Sequence, residues 1–138
     1  MQGIFQKENT DKALKYGIYR HLPTYEKIIR NLVSFYIKKT RNLILSEREY
    51  MYTKLRELPF FYVYPAYANF LLVQIQKDGL TSSDVFEACI REGLMIRDCS
   101  SFTGLEGEFV RFCIMDPEDN RRLLTVFQKI SQSARKQV

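Results

Sequence analysis

No glycine or proline occurs between Thr24 and Leu58, and that absence constrains the fold of this chain more than any other feature. In a helix interior glycine costs about 1 kcal/mol and proline about 3 kcal/mol relative to alanine. Within the stretch, apolar residues recur at Ile28, Ile29, Leu32, Val33, Tyr36, Leu43 and Ile44, then more weakly at Met51, Leu55 and Leu58. This is one face of a 3.6-residue repeat. The spacing predicts one very long helix starting near Pro23, with Thr24 as its N-cap, or two helices in line bent near Thr40. Pro59 ends it, because proline lacks the N–H and clashes with the preceding turn. A helix much beyond about 25 residues is unusual in an isolated small domain, so this one reads as an element bridging two domains. At 138 residues the chain is one domain, or one domain with such an extra element, and it is long enough to bury a core without staples. Residues 1–22 are polar, weakly periodic and interrupted by Gly3 and Gly17, and read as a lead-in segment.

Beyond Pro59 the period changes. Phe60–Tyr64 is aromatic and β-branched and reads as a strand, Pro65-Ala66 as a turn, and Ala68–Ile75 as a second strand. Both faces of that second strand are largely apolar, which makes it central in its sheet. Thr81-Ser82-Ser83-Asp84 has capping-box spacing, Val85, Phe86, Cys89 and Ile90 form the buried stripe of the helix it opens, and Gly93 falls just past its end. Leu94–Asp98 and Glu108–Met115 read as strands around a loop holding Gly104 and Gly107. Asp116 is a good N-cap, Pro117 suits the first helical position, and Glu118 and Asp119 favour the helix dipole. Leu123, Leu124, Phe127, Ile130 and Ala134 line one face of that last helix. Short turns between several strands require an antiparallel or mixed sheet. The expected fold class is α+β: a small antiparallel or mixed sheet with helices packed on it, preceded by a long helix. The expected division is a lead-in at 1–22, a connecting helix or helix pair at 23–58 and an α+β domain at 59–138.

Composition narrows the chemistry. The single histidine, His21, leaves no HExxH pair and no facial triad, and a Ser-His-Asp site would have to be built on it. Cys89, Cys99 and Cys113 have no CxxC spacing, so no metal site is expected; unpaired thiols fit a reducing compartment, here the cytoplasm. Cys99, followed by Ser100 and Ser101, is a candidate reactive thiol, although an inert buried cysteine is commoner. Leu58–Gln76 carries no charge, but Pro59, Pro65, Asn69, Gln74 and Gln76 make it two strands around a turn rather than a membrane span. Met1–Tyr16 has no apolar core of a targeting signal. The net charge of +5 is spread, with no run longer than Lys38-Lys39 or Arg121-Arg122, and the aromatic residues fall in core periods rather than beside the basic ones. Neither nucleic acid nor membrane is therefore an expected partner. Gly104-Leu105-Glu106-Gly107 matches neither GxGxxG nor a P-loop.

Two residues stand out. Arg97 and Arg111 each lie in an otherwise apolar strand segment, Met95-Ile96-Arg97 and Phe109-Val110-Arg111-Phe112. A guanidinium among buried groups is costly unless it meets an anion, and it grips a carboxylate or phosphate by two parallel hydrogen bonds. The other reading is that one face of each strand is solvated and the arginine points out. If the strands are neighbours around Ser100–Gly107, alternation puts both arginines on one side of the sheet, forming a site for an anionic small molecule.

Three segments in order carry a resemblance. They are Tyr64-Pro-Ala-Tyr-Ala-Asn69-Phe70-Leu-Leu-Val73, then Glu92-Gly93-Leu-Met-Ile-Arg97-Asp98-Cys99-Ser100-Ser101-Phe102-Thr-Gly104-Leu105, then Phe109-Val110-Arg111-Phe112, closing on Asp116-Pro-Glu118-Asp-Asn120. Together with Leu22-Pro23 and Glu47-Arg48-Glu49, over roughly residues 20–131, they resemble the C-terminal small domain of pyridoxal-phosphate-dependent class I/II aminotransferases. The similar branch is that of histidinol-phosphate aminotransferase and threonine-phosphate decarboxylase. Tyr25, Ile28 and Ala66 depart from the pattern, as do Met115 and Asp116, where the branch carries a Gly-Thr or arginine-containing strand end.

The resemblance implies that Arg111 holds the substrate α-carboxylate and Arg97 helps hold its phosphate or second acid group. It also implies that the long helix runs between a large and a small domain. The large domain that carries the cofactor lysine has no counterpart in this sequence, so the chain alone is expected neither to bind pyridoxal phosphate nor to transaminate. The expected partner is that missing domain or a second copy of the chain, through the apolar helix face. The competing expectation is a non-enzymatic interaction or anion-binding module that keeps only the fold.

Overall fold

The computed structural model describes residues 22–137, and the chain divides into two compact units, Met1–Arg41 and Asn42–Val138. The lead-in segment up to His21 lies outside the described residues. Helix α1 is a single helix, Leu22–Arg56, about 50 Å long at 1.5 Å per residue. In the first unit every side chain from Thr24 to Arg41 is exposed, including Tyr25, Ile28, Ile29, Leu32, Val33 and Tyr36 of the apolar stripe. In the second unit the helix turns buried: Glu47, Met51 and Leu55 enter the core. Lys54 and Arg56 in its last turn suit the negative end of the dipole. The helix stops at Arg56 rather than Leu58, because a residue before proline is driven out of the helical region. Leu58 N–H closes on Leu55 O at 3.1 Å, and Phe60, after Pro59, adopts a left-handed φ of 71°.

The rest is α+β. Strands β1 (Phe61–Val63) and β2 (Phe70–Ile75) are followed by helix α2 (Ser82–Arg91), strands β3 (Arg97–Asp98) and β4 (Glu108–Cys113), and helix α3 (Pro117–Lys136). All pairings are antiparallel, in the order β1-β2-β4-β3. β2 is central, as its two apolar faces require. The strands are shorter than the sequence pattern predicts, and each shortening has a local cause. Phe60 is in the turn that follows Pro59. Ala68 lies outside β2, its carbonyl taken by the Arg48 guanidinium at 2.9 Å. Leu94–Ile96 stay out of β3 because the end of α2 holds them: Leu94 N–H donates to Cys89 O at 2.9 Å. Met115 leaves β4 because its N–H and carbonyl are both bonded to the Asn120 amide.

Both helix starts follow the expected chemistry. At α2 the Thr81 N–H and hydroxyl donate to the Asp84 carboxylate (2.9 and 2.8 Å) while Asp84 N–H donates back to the hydroxyl at 3.1 Å, a complete capping box. At α3 the Asp116 carboxylate accepts from Asp119 N–H at 2.9 Å, with Pro117 in the first turn. The core lies on one face of the sheet. Leu71, Val73, Ile75, Val110 and Phe112 point into it and meet Val85 and Cys89 of α2, Leu123 and Phe127 of α3, and Met51 and Leu55 of α1. Phe127 is wholly buried, edge-on to Phe61 with ring centres 4.9 Å apart; burying a ring of that size contributes about 2–3 kcal/mol.

One buried polar group joins three elements. Asn120 is fully buried; its amide NH₂ donates to the Glu47 carboxylate (2.9 Å) and to Met115 O (2.8 Å), and its amide oxygen accepts from Met115 N–H (3.0 Å). The clamp ties α1, the end of β4 and the start of α3 together. Replacing Asn120 by alanine removes three hydrogen bonds, one to the buried Glu47 and two to the half-buried Met115 backbone, and we expect a loss of about 3 kcal/mol in urea unfolding. Gln128→Ala, on the exposed face of the same helix, should change stability by less than about 0.5 kcal/mol.

Candidate functional site

Alternation along the strands decides what the second face of the sheet carries. With Leu71, Val73 and Ile75 turned to the core, Phe70, Leu72 and Gln74 lie half-buried on the other side. β4 does the same: Val110 and Phe112 turn in, while Phe109, Arg111 and Cys113 turn out. Register places Arg111 opposite Leu72 on one side and opposite Arg97 on the other. The two arginines are thus direct cross-strand neighbours on one face, where opposed Cβ atoms sit about 5 Å apart.

Their surroundings are aromatic. The Arg97 guanidinium carbon stands 5.0 Å from the centre of the Phe102 ring; that of Arg111 stands 4.9 Å from the Phe70 ring and 6.0 Å from Phe102. Tyr64 and Phe109 continue the aromatic surface, with ring centres 6.1 Å apart, and the Tyr64 hydroxyl donates to the Gln74 amide oxygen at 3.3 Å. Arg48, Arg91, Arg121 and Arg122 each have an oxygen partner. Among the described residues Arg97 and Arg111 have none, as is also true of the exposed Arg30, Arg41, Arg56 and Arg135. Like charges directly opposite each other destabilise a sheet. The arrangement therefore presents ten guanidinium N–H donors, five per arginine, to the open side with no protein anion to neutralise them.

The loop between β3 and β4 is pinned from below. Cys99 N–H donates to Phe109 O (3.0 Å), Phe102 N–H to Cys99 O (3.0 Å) and Leu105 N–H to Phe102 O (3.3 Å). Gly104 and Gly107 take left-handed φ values of 89° and 122°, which a side chain there would resist. This geometry folds Phe102 back over both arginines. Nothing in the sequence marks Phe70 or Phe102 as a site residue, although Phe102 lies in the same short segment as Arg97; a stacking partner has no spacing rule to reveal it.

Two of the three thiols, Cys89 and Cys99, are buried, and Cys113 is exposed. Cys99 is buried, and burial pushes its thiol up, only partly countered by the positive fields of Arg111 and Arg97. Cys89 is pushed up to about 12 by burial alone. The carboxylates next to the site do structural work. Asp98 accepts from the Ser82 hydroxyl and Ser100 N–H (both 2.8 Å), and Glu108 accepts from Ser82 N–H at 2.6 Å. Together they fasten the start of α2 to β3 and β4. Burial pushes the Asp98 carboxyl up, but the bonds from Ser100 and Ser82 outweigh it and hold the group below its ordinary value. A carboxyl depressed on folding adds stability above its unfolded pKa near 4, and that stability is lost as pH falls through the folded pKa. Asp98→Asn should therefore be less stable than the unsubstituted chain at pH 7, with the difference shrinking in urea titrations as pH falls below about 4.

Among the described residues no group of side chains is placed to hold a metal ion, and no helix is long and apolar enough to cross a membrane. No described lysine is buried.

A one-faced α+β unit with an arginine pair on its open side defines a domain class, and sequence comparison supplies the family. The model of the class I and II aminotransferases matches residues 17–127, and the chain belongs to that family. A histidinol-phosphate aminotransferase of Methanothermobacter thermautotrophicus is 36% identical over 97 residues, 70% of this chain and 26% of that protein. The crystal structure of the histidinol-phosphate aminotransferase from Clostridium acetobutylicum aligns with a TM-score of 0.66 at 27% identity, over 72% of this chain and 30% of that one. The L-threonine-O-3-phosphate decarboxylase structure from Porphyromonas gingivalis shares the fold, with a TM-score of 0.58 at 24% identity over 70% of this chain and 28% of that one. The chain spans about a quarter of the length of the curated relatives it matches.

Proposed function

We propose that this chain is the small-domain part of an aminotransferase-like enzyme and that Arg97 and Arg111 hold the acid group of its substrate. The observation that carries the reading is the pair itself: two guanidiniums opposed across β3 and β4, stacked on aromatic rings and without an oxygen partner among the described residues. Of the six described arginines without an oxygen partner, Arg111 alone is half-buried rather than exposed, and it lies directly opposite a second of them, Arg97. Two neighbouring guanidinium forks match the oxygens of a carboxylate or phosphate, and Arg111, the more buried of the two, makes the stronger bond to an anion because less water competes there.

In this reading the chain binds and orients the acid group and neutralises its charge. The cofactor chemistry belongs to a large domain that these 138 residues do not contain, with pyridoxal phosphate as the cofactor the family implies. The exposed apolar stripe of α1, from Tyr25 to Tyr36, is the surface through which we expect that domain, or a second copy of the chain, to be met. By itself the chain has no transaminase activity.

The test is a chimera in which this chain replaces the matching quarter of the Methanothermobacter relative. We expect transamination, and we expect Arg111→Ala to raise KM for the acidic substrate by roughly 10- to 100-fold, the equivalent of losing a charged hydrogen-bond partner. The urea midpoint should hardly move. An active chimera whose Arg111→Ala variant keeps its kinetics would show that the pair does not serve the substrate. A folded but inactive chimera would favour a binding module that keeps only the fold.

A further inference from the structure

We propose that Phe102 is the positioning residue of the arginine pair: one ring stacked against both guanidiniums holds two like charges side by side, so that both forks face a single anion. The inference rests on the anion-site reading above and adds to it the group that makes the site preorganised.

Three observations carry it. Phe102 is the one ring within about 6 Å of both guanidinium carbons, at 5.0 Å from that of Arg97 and 6.0 Å from that of Arg111. Without an attraction common to both, direct cross-strand neighbours of like charge would splay into solvent. The negative face of an aromatic ring provides that attraction. The ring is also fixed from its own backbone, since the N–H and the carbonyl of Phe102 are both bonded within the loop, to Cys99 O and from Leu105 N–H. An arginine side chain has rotamer entropy to lose when it is fixed. Stacking removes part of that freedom before the anion arrives, which is how preorganisation raises affinity. Phe70 stacks on Arg111 alone and cannot couple the two.

The experiment uses the isolated chain and inorganic phosphate at constant ionic strength, with the arginine Nε–H signals followed by NMR. In the unsubstituted chain both signals should be displaced by the ring current of Phe102, and both should respond to phosphate along one common binding curve. Phe102→Leu keeps apolar bulk but removes the π face. It should abolish the ring-current displacement of both arginines and weaken phosphate binding roughly five- to tenfold, while the urea midpoint stays close to that of the parent. Phe102→Tyr should restore both properties, which a merely structural role for bulk would not require. Equal phosphate affinity and unchanged arginine signals in Phe102→Leu would overturn the proposal. Absence of any phosphate response in the unsubstituted chain would overturn the anion-site reading instead, and the ring-current displacements of the free protein would still decide the stacking. Those displacements are read without any substitution, so the stacking is testable even if Phe102→Leu fails to fold.

Discussion

The antiparallel register between β2 and β4 is the constraint on which the rest depends. It sets Val73 opposite Val110 and Leu71 opposite Phe112 on one face, and Leu72 opposite Arg111 and Gln74 opposite Phe109 on the other. A slip of one residue would exchange the faces, sending the apolar set to solvent and Arg111 into the core. Because α2, α3 and the end of α1 all pack on the first face, that slip is energetically closed. The position of the arginine pair is therefore as secure as the core itself, although the pair takes no part in the core. Side chains anchored on a rigid sheet hold a recognition group more closely than those on a loop can.

The same economy explains the polar groups that are buried. Glu47 and Asn120 lie inside because each satisfies the other and Asn120 also satisfies Met115. Ser82, Asp98 and Glu108 form a second such node at the start of α2. No buried side-chain nitrogen or oxygen among the described residues lacks a partner. The arginine pair breaks a different rule, because it sets two like charges directly opposite each other across two strands. Local rules broken at a few positions while the rest of a structure obeys them are what a binding site looks like.

Much of this was legible in the sequence, for identifiable reasons. The Thr81–Asp84 box, the Asp116–Pro117 start and Gly93, with its left-handed φ of 73°, are local chemistry and appear where the residues dictate. The central place of β2 followed from its two apolar faces. Opposed placement of Arg97 and Arg111 followed from strand parity and a short loop. What was not legible is bonding that competes with the sheet. Periodicity predicts strands to the last apolar residue, whereas Leu94 and Met115 are taken out of the sheet by bonds to a helix end and to the Asn120 side chain. Phe102 as a stacking partner depends on how the loop folds back, and the stripe on α1 is periodic whether or not anything covers it.

The central claim, that one face of the sheet makes the fold and the other presents the site, is tested most directly by urea unfolding of two variants at adjacent positions of β2. Val73 is wholly buried and Leu72 is half-buried beside Arg111. Val73→Asp buries an unpaired carboxylate and should cost more than about 3 kcal/mol. Leu72→Asp gives Arg111 an anionic neighbour and should cost less than about 1 kcal/mol. Equal losses at the two positions would contradict the account.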